Sequence, residues 1–315
     1  MTDEIQPIGR IIAIDRKLSL YCPLRCLQNT LASLIGKLMK HTEQGLKNNC
    51  AGNGGLKKRL LFLAFTYISL GCSSMLQAGV PAWQEQAFII NSFYETALGS
   101  EHEKSAMKVR KWEKPLKIYV EHQVGDQALH NKLLDGHIED LRSITGLSIK
   151  RVQSKSTANI QYYFTSQQKL PSLLRASSKS SLKYIKSAVC LATMRVNSDN
   201  SIQSAQIFIP VNQARMHAKL LSCIVEELAQ VLGLPRDSDA VFPSIFNDRT
   251  PNQMLTGLDV TLLKILYHPQ IRSGMGKVQL KPVLRSVIDN MRRQGDLQKF
   301  SQKSKTLVLC QYIDC

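Results

Sequence analysis

The most constraining feature of this chain is a helix that stops hard. Residues 222–237 read S-C-I-V-E-E-L-A-Q-V-L-G-L-P-R-D. Leu221, Ile224, Val225, Leu228, Val231 and Leu232 recur at the 3.6-residue period of one apolar stripe. Cys223, Glu226, Glu227 and Gln230 fall together on the other side. Gly233 suits a left-handed helix end, and Pro235 prevents the helix from resuming. One face therefore belongs to a core. The other carries carboxylates, either as a solvated acidic surface or as the lining of a cleft.

A zinc peptidase helix reads H-E-x-x-H-x-x-G, with two histidines one turn apart holding the metal and a glutamate activating water. Here Glu226 stands at the first histidine, Glu227 at the general base and Gln230 at the second histidine. Asp237 follows Gly233 at about the place of a third ligand. Glu226, Gln230 and Asp237 are thus the candidate metal ligands, and Glu227 the candidate catalytic base. A glutamine carbonyl is a poor zinc ligand, and an oxygen-only set suits calcium, magnesium or manganese better. None of the seven histidines lies near the motif in sequence, and His217 is too far N-terminal to pair with Gln230. The expectation is a binding cleft without a cofactor. The alternative is a peptidase that uses a divalent metal ion and Glu227. Two adjacent carboxylates need compensation, and the loop 243–248 is expected to supply it with backbone donors from beneath the helix.

The N-terminal part reads differently. Lys57, Lys58 and Arg59 precede an almost wholly apolar run, 60–70, and then Gly71-Cys72-Ser73-Ser74. A positive flank, a short apolar core and Leu70-Gly71-Cys72 have the layout of a bacterial secretory signal with a lipobox, which makes Cys72 a lipidation site. The run is too short to span a bilayer, where roughly 20 residues are needed; a buried core helix ending in Gly-Cys is the competing reading. Such a signal belongs at an N-terminus, so 1–55 is expected to be an extension missing from the mature protein. The expected setting is the bacterial envelope, membrane-anchored and facing the periplasm.

The formal charge of +17 is spread along the chain rather than gathered in one run. It suits an anionic envelope polymer or a protein partner. No zinc-finger spacing, recognition helix or aromatic-basic strand motif accompanies it, which argues against nucleic acid. An oxidising compartment favours paired cysteines. Cys190 with Cys223 would tie a strand to the motif helix, and Cys310 with Cys315 would close a small loop; buried thiols are the alternative in each case.

Residues 73–111 read as a tether and lead-in helix. From Trp112 onward, strands are expected at 117–120, 147–152, 159–164, 188–196 and 205–211, with a helix over 128–144 and a helix-containing excursion over 170–187. Thr256-Gly-Leu-Asp259 is a capping box for one more helix. The order predicts an α+β fold, a mixed β-sheet packed against helices. Residues 276–315 read as a basic, weakly amphipathic tail.

C-I-V-E-E-L-A-Q-V-L-G-L-P-R-D, then S-I-F-N-D, then L-T-G-L-D-V-T-L-L-K-I-L-Y-H-P-Q-I-R-S-G-M together resemble the proteobacterial domain-of-unknown-function family 2927, whose members are described as candidate lipoproteins. The resemblance covers about 112–275. It implies a zincin-like fold with this degenerate active-site helix and no established activity. Arg236 departs from the small polar residue expected before Asp237.

Overall fold

In β4 (Ile160–Thr165) side chains alternate between two apolar environments. Ile160, Tyr162 and Phe164 enter the main core, while Tyr163 joins a second cluster with Phe208, Leu191, Leu170 and Leu174. A strand that is apolar on both sides belongs to a sheet covered on both faces. The structure, a computed structural model, describes residues 5–9, 81–98, 108–177 and 188–313. All of these fall in one compact unit.

The elements in chain order are β1 (Ile5–Gly9), α1 (Gln86–Ala97), β2 (Leu116–His122), α2 (Gln127–Thr145), β3 (Ile149–Arg151), β4, α3 (Leu170–Ser177), β5 (Leu191–Val196) and β6 (Ile202–Pro210). The helices α4 (Val211–Met216), α5 (Leu220–Gln230), α6 (Gly257–Leu266), α7 (Lys277–Arg293), α8 (Asp296–Lys305) and α9 (Val308–Ile313) follow. The sheet order is β1-β5-β6-β4-β2-β3. β3, β2, β4 and β6 run parallel, and β5 pairs antiparallel with β6. The expected α+β class with a mixed sheet is therefore correct: five strands lie between 116 and 210, and β1 adds an antiparallel sixth along β5.

The main face of the sheet is covered by α2 and α5. Leu134, Leu141 and Ile144 of α2 are at most 1% exposed, and each such burial contributes about 1.5–3 kcal/mol. The buried stripe of α2, which holds Leu133, Leu134, Ile138, Leu141 and Ile144, also takes in two histidines. Leu129 is exposed, while His130 and His137 are buried at positions i and i+7. Cys190, just before β5, is bonded to Cys223 of α5 with their Cα atoms 5.9 Å apart, the expected bridge between strand and motif helix. A link across 33 residues of chain contributes about 3 kcal/mol in the chain-entropy picture.

Two expectations about domain limits change. The lead-in helix is core, since Ile89, Phe93 and Ala97 of α1 are fully buried and α1 packs on α6 and α7. The stretch from 276 on is not a solvated tail. Leu280, Leu284, Val287, Ile288 and Met291 of α7 are buried, α8 packs on α6, and α9 packs on α2. Their basic residues lie between these apolar positions, so composition concealed the stripe. The α9 backbone N–H groups of Val308 and Leu309 donate to Asp140 of α2 at 2.6 and 3.2 Å. That contact satisfies a buried carboxylate at a helix start. Residues 10–79 lie outside the described residues, and with them Cys72 and the signal-like stretch 56–72. Cys315 does too.

His137 is 1% exposed and hydrogen-bonds the Val225 backbone of α5. Burial pushes its pKa down to about 3. The folded value lies below the usual 6.5, so this contribution to stability is complete above pH 6.5 and is lost as pH falls toward 3. Between pH 7 and pH 4, wild type is expected to lose about 3 kcal/mol more unfolding free energy than His137→Gln. Denaturant titrations of both proteins at the two pH values are the measurement.

Candidate functional site

The end of α5 is fixed by what crosses it. Gly233 has φ +121°, and a Cβ there would lie 2.0 Å from the Arg110 carbonyl oxygen. Only glycine allows that crossing. The carbonyls of the last turn, which lack helical partners, are met by side chains: Trp112 Nε1 donates to Val231 O at 2.8 Å and Tyr267 Oη to Leu232 O at 2.7 Å. Held this way, α5 is buried on all sides rather than amphipathic at a surface. Glu226 and Glu227 are each 3% exposed and Gln230 is 2%. The reading of a solvated acidic face is thereby excluded.

Past Gly233 the chain turns back, and Gln230 Nε2 donates to Asp237 Oδ1 at 2.8 Å. The loop that follows closes on itself. Ser238 N–H donates to Phe246 O, and Asn247 Nδ2 donates to the carbonyls of Asp239 and Val241. Asp259, in the first turn of α6, anchors the loop: it accepts from Ile245 N–H at 3.0 Å and from Ser244 Oγ. It also completes the expected capping box with Thr256. Burial pushes the Asp259 carboxyl up to about 6 despite these donors.

This loop carries Asp248 back to the helix. One carboxylate oxygen each from Glu226, Asp237 and Asp248 lies within 4.8 Å of the others. The candidate ligand set therefore keeps Glu226 and Asp237 and gains Asp248. Gln230 serves as a brace for Asp237 through its amide N–H. Within the loop, Ser244 Oγ and Ile245 N–H donate to Asp259, and the loop also brings a third carboxylate, Asp248, to Glu226. No spacing rule could have found Asp248, which enters through a closed loop eleven residues beyond Asp237.

Glu227 is not part of this group. Adjacent helical residues point about 100° apart, and Glu227 lies near Tyr162 of β4. That tyrosine is fully buried, and its pKa is raised well above the usual value, first by burial and then by the Glu227 charge. The three residues expected to share one groove are therefore divided: Glu226 and Gln230 face the loop, and Glu227 faces the sheet. Around the site, Arg236 pairs with Glu95 and Arg249 with Asp239, both at exposed positions where such pairs contribute little. A cleft of about 240 Å³ lies on the sheet elsewhere, lined by Asn159, Gln161, Thr193 and Arg195, and includes none of these carboxylates.

The donor set is all oxygen. It lacks the imidazoles and thiolates that make a tetrahedral zinc site, so zinc does not fit these residues. A hard cation such as calcium, magnesium or manganese takes carboxylates of this kind. Without a cation, like charges some 4 Å apart repel by about 1–4 kcal/mol. In metal-free buffer, Asp248→Asn is expected to hold or raise stability. Gln230→Ala removes the Nε2 donation to Asp237 and should lower stability by about 1 kcal/mol. Chemical unfolding of both variants in EDTA is the check.

No curated protein matches the chain. A family profile matches residues 86–286, nearly two thirds of the chain, and reaches beyond 112–275 on both sides to include α1 and part of α7. It spans the helix, loop and capping-box motifs whose geometry is described above. By that match the protein belongs to the family described as Protein of unknown function (DUF2927).

Proposed function

We propose that this domain is the binding module of a lipid-anchored envelope protein, built on a zincin-like frame that has given up zinc chemistry. The observation that carries the reading is the Gln230–Asp237 hydrogen bond of 2.8 Å. Where a zinc peptidase has its second imidazole, this helix has an amide that braces a carboxylate. Two further features support it. The carboxylates of Glu226, Asp237 and Asp248 favour a hard cation over zinc. Glu227, at the position of a general base, is 3% exposed and lies toward Tyr162, away from that group. An attacking water would need a path to it. For the anchor, the support is the sequence 57–72, a positive flank and short apolar run ending in Leu-Gly-Cys72. The net charge of +17 suits an anionic polymer or protein partner.

The second reading, a divergent metal-dependent peptidase with Glu227 as base, keeps the Leu-Gly-Leu turn and the glutamate in its favour. Elemental analysis and peptide-cleavage assays on the purified chain separate the two. The expected result is no zinc whose binding depends on Glu226 and no cleavage above the level of Glu227→Gln, with calcium or manganese raising the Tm of wild type but not of Asp237→Asn. One zinc per chain lost in Glu226→Ala, with cleavage lost in Glu227→Gln, would establish the peptidase. For the anchor, labelled palmitate is expected to enter wild type and not Cys72→Ala. Equal labelling of both removes the lipid from the proposal.

A further inference from the structure

Near the start of α2, three rings lie parallel. His122 of β2, His130 of α2 and Phe164 of β4 have interplanar angles of 4–8°. Their centroids are 4.4 Å apart for His130 and Phe164, 5.0 Å for His122 and Phe164, and 5.8 Å for the two histidines. Aromatic carbons in contact stay about 3.5 Å apart. Two parallel rings on opposite faces of Phe164 would therefore be about 7 Å from each other. At 5.8 Å the histidines must share one face of Phe164, side by side and edge to edge.

Their nitrogens have unmet capacity. His122 Nε2 lies 3.1 Å from Asn131 Oδ1, an atom that can only accept, so that nitrogen carries the proton and Nδ1 keeps its lone pair. His122 Nδ1 and both nitrogens of His130 are buried and have no hydrogen-bond partner among the described residues. His130 is 0% exposed, and burial, the His122 ring and Arg215 hold it neutral with a pKa of about 4. Asp126 and Arg215, the other charges that act on it, are paired with each other. Folds seldom leave buried ring nitrogens unmatched. A histidine whose second nitrogen is fixed by an amide or carboxylate oxygen is the usual form of a metal ligand.

Two imidazole nitrogens at about 2.0–2.1 Å from one ion place their ring centres about 5–6 Å apart, and 5.8 Å is what is found here. The geometry points to a two-histidine metal site formed by His122 Nδ1 and a ring nitrogen of His130, completed by water. Its ion is of the class that imidazole favours, zinc, copper or nickel, and not the hard cation suited to the carboxylates of α5. His122 is only half-buried and gives the ion a way in. Asn131 is a positioning residue: it sets the tautomer of His122 without touching the ion.

The test uses the full chain, stripped with EDTA and given one equivalent of Cu2+. Electron paramagnetic resonance should show one copper coupled to two imidazole nitrogens, unchanged by excess Ca2+. His122→Asn should lose that two-nitrogen pattern, and Asn131→Ala should weaken copper binding about 10–100-fold while keeping the pattern. A wild-type signal without two-nitrogen coupling, or one unchanged in His122→Asn, would overturn the site and leave a buried water between the rings. The wild-type spectrum decides this even if a variant of fully buried His130 does not fold.

Discussion

Gly233 lets the backbone at Arg110 cross directly against the end of α5, and the surrounding structure follows from that contact. With a side chain at 233 the crossing strand would be pushed away. Trp112 would then lose the Val231 carbonyl and Tyr267 the Leu232 carbonyl. The same crossing turns the chain so that Asp237 comes back beside Gln230. A missing Cβ thus decides whether the end of the helix is sealed and whether carboxylates from two separate segments can meet.

The polar groups of α5 show how a buried helix can carry charge. Glu226 and Glu227 are neighbours in sequence but are handled by different parts of the fold. One belongs with the loop, among other carboxylates that a cation would bring together. The other lies at the sheet beside a tyrosine whose proton it holds more tightly in place. Helix geometry permits their division, since successive residues point about 100° apart. Gln230 stands with Glu226, one turn on, and uses its amide hydrogen where an imidazole would offer a lone pair. That exchange of donor for acceptor separates this site from a zinc site more sharply than the change of residue name does.

Periodicity made much of the fold legible. The alternation in 159–164, the stripe of 221–232 and the Thr256–Asp259 capping box each map onto the element they predict, because local rules govern them. The Cys190–Cys223 pairing followed from two cysteines placed on core elements. Other features depend on contacts between distant segments. Asp248 reaches Glu226 only through a loop held by Asn247 and Asp259. The C-terminal helices look solvated because lysines and arginines interrupt their apolar stripe, and only packing shows Leu280, Leu284 and Ile288 to be core. The histidines of α2 carry a signal of their own in the sequence. His130 and His137 share the i, i+7 spacing of a buried face with Leu134 and Leu141, while Leu129 turns outward.

Asp140 sits inside the domain on α2, and its partners are the amides of Val308 and Leu309, 168 and 169 residues further along. Until that later segment is made, a growing chain holds a carboxylate that cannot be buried without loss. The sheet and its first covering helix can form early, but the face of α2 that receives α9 cannot close. During synthesis, the seal over α2 is therefore among the last parts to set.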